Sequence, residues 1–176
     1  MKTPFEKSIS LSTVLWTVSL ALVIGPLYYV YDVLPEVIPV HFTIDGTPDR
    51  YGNKVTFVLF MLLTLGLLNG MCLVFKCFMP RLPVGLINWP NKAWWLENDN
   101  RRKIFYQRIG WMMVGNAVGI NLIFSLVIVM TFSHSLPQEH PLRLEFATGS
   151  GMFIGILASL ALYSLMLIRR PKHLMS

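Results

Sequence analysis

Three ionisable side chains, His41, Asp45 and Asp49, share the short segment Leu34–Lys54. An imidazole beside two carboxylates is a ligand set suited to a divalent cation, and the same trio can move protons when its members lie within hydrogen-bond reach. Val40, Phe42 and Ile44 alternate with His41, Thr43 and Asp45, which predicts a short half-buried strand with the polar trio on one face. Asp45-Gly46 supplies a turn that Thr47-Pro48-Asp49 continues, while Pro35 and Pro39 stiffen the entry. Two readings follow. In one, Pro39, His41, Phe42, Asp45, Gly46 and Asp49 form a ligand-binding surface, with His134, Glu139, His140 and Glu145 of a later connection available on the same side. In the other, His41 packs in a compact loop and Asp45 caps its own turn. No metal or cofactor is assigned. The sequence contains no His-Glu-x-x-His helix, serine elbow, Cys–His signature or phosphate-binding glycine loop.

The elements that must position these residues are set by lipid. The chain has 176 residues, of which 54% are hydrophobic and 14% charged. A soluble domain carries about 25% charged residues, so a soluble enzyme is excluded. Four stretches lack Asp, Glu, Lys and Arg altogether: 8–31, 55–75, 109–138 and 146–168. Each is long enough for a helix across a hydrocarbon core of roughly 30 Å. Helices satisfy their own backbone in lipid, and the apolar runs lack the alternation of a membrane barrel. The expected fold is an all-α transmembrane four-helix bundle, one integral membrane domain over residues 1–176. Its spans are expected near Leu11–Tyr31, Val55–Phe75, Ile109–Thr131 and Phe146–Ile168. The first run is too long for a signal-peptide core and no small-residue cleavage site follows it, so it reads as a retained helix, kinked by Pro26.

Basic residues orient the bundle. Lys2 and Lys7, then Lys76, Arg81, Lys92, Arg101, Arg102, Lys103 and Arg108, then Arg169, Arg170 and Lys172, all fall on one side. Arg50, Lys54 and Arg143 fall on the other. The positive-inside rule therefore places both termini in the cytoplasm. The net charge of +6 is a topology signal rather than a nucleic-acid footprint, because no folded basic domain presents it. Nucleic acid is not expected as a partner, whereas the lipid bilayer is.

Close helix packing in lipid favours small residues. Three spans carry a GxxxG spacing: Gly66 and Gly70, Gly115 and Gly119, Gly151 and Gly155. An intramolecular bundle is the main expectation, and a homodimer through one of these faces is the alternative. Asn69, Asn116 and Asn121 should point inward and bond across helices, since an unpaired amide in lipid is costly. No ionisable acid or base sits at mid-membrane depth, which argues against a proton-coupled transporter or voltage sensor. Cys72 and Cys77 fall on different helix faces near the reducing side, so no disulfide is expected.

Between the second and third spans, Pro80, Pro83 and Pro90 prevent one continuous helix. Asn88, Trp89, Pro90, Asn91, Lys92, Trp94 and Trp95 precede Arg101 and Arg102. Indoles favour the headgroup region and cations favour anionic lipid, so this segment is expected on the inner leaflet, or as a docking surface for a cytoplasmic regulator. Asn98, Asp99 or Asn100 should cap the following helix.

The run Ile38-Pro39-Val40-His41-Phe42, with Gly46 and Asp49 beyond it, resembles the signature of the family Domain of Unknown Function 1648, which also forms the front part of SdpI-type bacterial immunity proteins. Asn88-Trp89-Pro90-Asn91-Lys92, Trp95-Leu96 and Arg101-Arg102 extend the likeness to about residues 11–132. The additional membrane region of SdpI-type members is not recognised here. The resemblance implies a bacterial cytoplasmic-membrane protein without enzymatic activity, serving as a receptor, immunity or signalling component through its outer loop. The alternatives are an extracytoplasmic metal enzyme using His41, Asp45 and Asp49, and an accessory subunit packed against a transporter.

Overall fold

Ser10 accepts a hydrogen bond from the Thr13 amide at 3.3 Å and so opens α1, Leu11–Tyr31. The computed structural model describes residues 10–169. Lys2, Lys7, Arg170 and Lys172, part of the orientation argument, lie outside the described residues. After α1 comes a hairpin of β1, Val37–Phe42, and β2, Pro48–Asn53, paired antiparallel. Asn53 ends the hairpin and at once caps α2, Lys54–Phe78, accepting from the Val55 and Thr56 amides. Two short 3-10 turns, Met79–Arg81 and Val84–Leu86, lead to α3, Lys92–Leu96. Asn98 then caps α4, Asp99–Ser135, through the Arg101 amide at 2.9 Å. The last helix, α5, covers Phe146–Ile168.

Four of these helices are long and apolar enough to cross a membrane, with mean hydropathy from 1.7 to 2.3. The first and last spans coincide with the expected bounds. The third is far longer than the expected Ile109–Thr131, because no proline interrupts the chain between Asn98 and Ser135 and the helix continues past the apolar segment at both ends.

α4 is the central element, with α1 and α2 on one side and α5 on the other. Val23 and Leu27 of α1, Met61 and Leu65 of α2, and Ile128 of α4 form one buried cluster. Beside it runs a closed polar chain. Trp16 Nε1 donates to Asn69 Oδ1 at 2.7 Å, Asn69 Nδ2 to Asn121 Oδ1 at 2.8 Å, and Asn121 Nδ2 to Ser19 Oγ at 2.8 Å. Every link crosses between helices, which satisfies groups that lipid could not. Asn116, expected to join such bonds, is half-buried on α4 outside this chain.

The glycine pairs divide into two kinds. A side-chain carbon at Gly115 would strike the Tyr163 ring, and one at Gly119 would strike Leu160, so this pair lets α5 lie close to α4. Tyr163 is fixed there by donating to the Trp111 carbonyl at 2.9 Å. At Gly66, Gly70, Gly151 and Gly155 an added carbon would meet nothing within 4 Å. These two pairs are therefore not sites of close approach within the chain: nothing packs closely over Gly151 or Gly155 of α5, or over Gly66 or Gly70 of α2.

At the end of the bundle opposite the hairpin, the tryptophan segment folds back on α4 instead of lying open. Ile87, Trp95, Leu96, Phe105 and Ile109 form a second buried cluster, and Trp95 is 1% exposed. Trp89 and Trp95 pack on the Phe105 ring at 5.6 and 5.9 Å. Arg101 lies over Trp94 at 4.4 Å and Arg108 over Trp95 at 5.4 Å. Trp95 is thus a core residue, because the extended first turns of α4 give it an apolar wall, while Trp89 and Trp94 are half-buried at its edge.

Candidate functional site

The hairpin is bound to the bundle at its base. Leu34 and Ile38 are buried, Ile38 completely. Burial of an isoleucine contributes about 1.5–3 kcal/mol. Lys54, at the junction of β2 and α2, ties three pieces together. Its ammonium donates to the Leu34 carbonyl at 3.2 Å, pairs with Glu36 at 3.0 Å and lies 5.1 Å from the Tyr31 ring centre. In the sequence Lys54 counts only as one of three basic residues on the outer side. Its multiple partners are a product of the hairpin's return, which no local pattern announces.

Phe42 anchors the middle of the hairpin. Its ring stacks edge-on against His134 of α4 at 4.9 Å and lies 5.8 Å from Phe146 of α5. Gly46 sits directly on Phe146, in a left-handed conformation with φ of 85°. A side chain there would be strained in backbone and blocked in space.

The polar face separates into two groups. His41 Nδ1 lies 2.6 Å from Asp49 Oδ1 across the two strands, with side-chain exposures of 59% and 44%. An ionised carboxylate only accepts, so Nδ1 carries the proton and the ring's Nε2 is left for an outside group. Asp45, expected on the same face, turns away. It accepts from the Thr43 hydroxyl, from the Thr47 hydroxyl at 3.0 Å and from the Thr47 amide at 3.4 Å. Those bonds, Thr43's first, hold the Asp45 carboxyl below its usual pKa.

The reason for the separation is a change of register. The ladder slips between Pro39 and His41 and again before Phe42, and the turn begins at Thr43. The expected alternation therefore breaks within β1, where Ile38 and Pro39 are both buried and Val40 and His41 both exposed, and Ile44, expected to be half-buried, is fully exposed at the tip. The pairing strand β2 is rich in polar residues, so periodicity alone did not mark it.

His134 and His140 do not join His41. The His134 Nδ1 bonds the Met130 carbonyl at 2.9 Å, and His140 Nδ1 accepts from the Leu142 amide at 3.2 Å. Among the described residues no group of three His, Cys, Asp or Glu converges as a metal site would require. The alternative metal centre of His41, Asp45 and Asp49 is thus not assembled.

The other end carries Asn88, Trp89, Pro90, Asn91, Lys92, Trp94, Trp95, Arg101 and Arg102 around the second cluster. Asn91 has φ of 58°, the left-handed turn that reverses the chain into α3. Arg101 pairs with Glu97, and Arg102 with Asp99 at 3.4 Å. These two arginines, both half-buried and paired, close the local fold around the indoles, and Lys103 is the exposed cation beside them.

Four membrane-length helices with a docked, exposed hairpin at one end define an integral membrane protein. Residues 18–67 match the model of the family described as Domain of unknown function (DUF1648), so the chain carries that family's segment. The match covers most of α1, the whole hairpin and the first half of α2, and ends before the tryptophan segment included in the sequence resemblance. No curated protein and no solved structure matches the chain.

Proposed function

We propose that this is a non-enzymatic, multi-pass protein of a bacterial cytoplasmic membrane that acts as a receptor, immunity or signalling component through its 34–54 hairpin. The carrying observation is the contrast along that hairpin: Ile38 is fully buried at the base while Ile44 is fully exposed at the tip. Between them stands the exposed His41–Asp49 pair. A surface held rigid before binding loses little ordering entropy when a partner arrives. The excess of Lys and Arg at the opposite end supports a cytoplasmic location for both termini. The immunity and signalling roles are supported by the likeness of Ile38–Phe42 to SdpI-type proteins. Arg101 and Arg102 would then face a cytoplasmic regulator or anionic lipid.

The test is chemical labelling of Ile44→Cys in a protein whose Cys72 and Cys77 are replaced by Ser. A membrane-impermeant maleimide should label it in intact cells; labelling only after permeabilisation overturns the orientation. Labelling should also be slower in native membranes than in purified protein reconstituted into vesicles. His41→Ala should remove that difference. Equal rates in both preparations would overturn recognition through the hairpin.

A further inference from the structure

Three cavities meet where α5 begins. A groove of about 840 Å³ runs between α4 and α5. A smaller one of about 330 Å³ lies on the other side of α5, beneath β1. Above both is a polar cup of about 480 Å³. The cavities share walls: Leu144 lines the large groove and the cup, Phe146 the small groove and the cup, and Leu126 both grooves. One polar cup therefore borders two apolar grooves, an arrangement complementary to a molecule with one polar end and two hydrocarbon tails.

Counted from Phe146 at the cup, the large groove reaches Gly155 after roughly 14 Å at a rise of about 1.5 Å per residue, close to half of a hydrocarbon core of roughly 30 Å, and it continues past that depth to Tyr163. Gly119 and Gly155 line this groove from opposite helices, and an added side-chain carbon at Gly155 would touch nothing.

The cup has charges of both signs. Arg143 donates to the Leu136 carbonyl at 2.8 Å, using one of its five N–H groups, and the rest of the guanidinium is available. Glu145 precedes α5 without capping it, so the first-turn amides of α5 have no side-chain acceptor from that residue. Those amides and Arg143 suit a phosphate. Asp45 and Glu145, on the wall of the same cup, suit an ammonium.

We propose that this composite cavity binds one phospholipid with a primary-amine headgroup, phosphate toward Arg143 and the start of α5, ammonium toward Asp45 and Glu145, and an acyl chain on each side of α5. The site does not depend on whether the hairpin recognises a partner. It places lipid beside the last helix in addition to that helix's direct contact with α4 at Gly115, Gly119 and Gly149.

The experiment is native mass spectrometry of the full-length protein released from micelles containing equal amounts of phosphatidylethanolamine and phosphatidylglycerol. One phosphatidylethanolamine should be retained per chain, at least five-fold over phosphatidylglycerol. Gly155→Phe should fill the large groove and abolish retention. Glu145→Gln with Asp45→Asn should leave the groove open, remove the preference between the two lipids and retain either. Thermal unfolding of each variant reports folding, and the polar pair serves as the test should Gly155→Phe not fold. Equal retention of both lipids by the unaltered protein, or unchanged preference in the polar variant, overturns the proposal. Occupation of the groove by a second copy, seen as a dimer without lipid, overturns it as well.

Discussion

Asn69 of α2 donates from Nδ2 to Asn121 Oδ1 of α4 at 2.8 Å, with Asn121 wholly buried. The bond is the middle link of the chain from Trp16 to Ser19, so it holds three helices at once. An apolar bundle surrounded by lipid gains little from hydrophobic exclusion, and such links supply orientation that apolar packing leaves loose.

Asn121→Leu removes the Asn69–Asn121 and Asn121–Ser19 bonds, while Asn69 keeps its bond to the Leu65 carbonyl at 2.9 Å and Ser19 its bond to the Trp16 carbonyl at 2.8 Å. The expected loss is about 1–2 kcal/mol, at the upper part of the range measured for polar contacts between membrane helices. Combining it with Asn69→Leu should cost less than the two single losses together, because both remove the same bond. Thermal unfolding of the four proteins in one detergent measures the coupling, and strict additivity would contradict the network.

Gly115→Ala should weaken the α4–α5 contact by about 1–3 kcal/mol, the usual range for overpacking. The added carbon meets a Tyr163 ring tethered to Trp111. At Gly119 the obstacle is the branched end of Leu160, whose γ carbon lies at 2.7 Å along with both δ carbons, so Gly119→Ala should cost a similar amount. Gly66→Ala and Gly151→Ala should cost nothing or stabilise slightly, since helix propensity favours alanine. Protease cleavage in the 136–145 connection, followed over time, would rank the four.

Gly46→Val should displace the hairpin tip. It combines a β-branched residue at positive φ with a block by Phe146, a loss of about 1–3 kcal/mol for the strained backbone alone. Hydrogen exchange of the Thr43 amide, bonded to the Thr47 carbonyl at 2.9 Å, should quicken in the valine variant, and unchanged exchange would contradict the contact.

Acid should loosen the turn only at low pH. Thr43, then Thr47, depress the Asp45 pKa in the folded protein. A depressed carboxylate contributes stability that is fully present above its unfolded value, about 3.9. That contribution is lost as pH falls through the lowered folded value. Thr43→Val removes the largest cause and should bring the Asp45 titration up toward the unfolded value. Carbon-13 chemical shifts of the Asp45 carboxyl would report it, and identical titrations in the two proteins would contradict the assignment.

The relation between sequence and structure differs from one part of the chain to another. The four spans were legible because lipid imposes a length and a composition on any helix that crosses it. The caps at Asn53 and Asn98 show the same local logic, with an amide side chain standing where a helix begins. The hairpin was half legible: β1 and the Asp45-Gly46 turn carry their own pattern, while β2 has a polar sequence that becomes a strand only by pairing. The fate of Trp95 was hidden, since an indole among basic residues suits a headgroup layer and a small core equally. Only the uninterrupted first turns of α4 decide between them.

The sequence by itself determined that this chain belongs in a membrane, where three of its four spanning helices begin and end within a few residues, and which short segment displays polar groups at one end. These follow from forces read residue by residue: burial in lipid, backbone satisfaction and turn chemistry. Tertiary structure alone decided that His41 meets Asp49 while Asp45 does not, that Lys54 clamps the hairpin, and that only Gly115 and Gly119 of the three pairs bring helices close. Each of those outcomes joins residues far apart in sequence or depends on a slip in strand register, and no local periodicity encodes either.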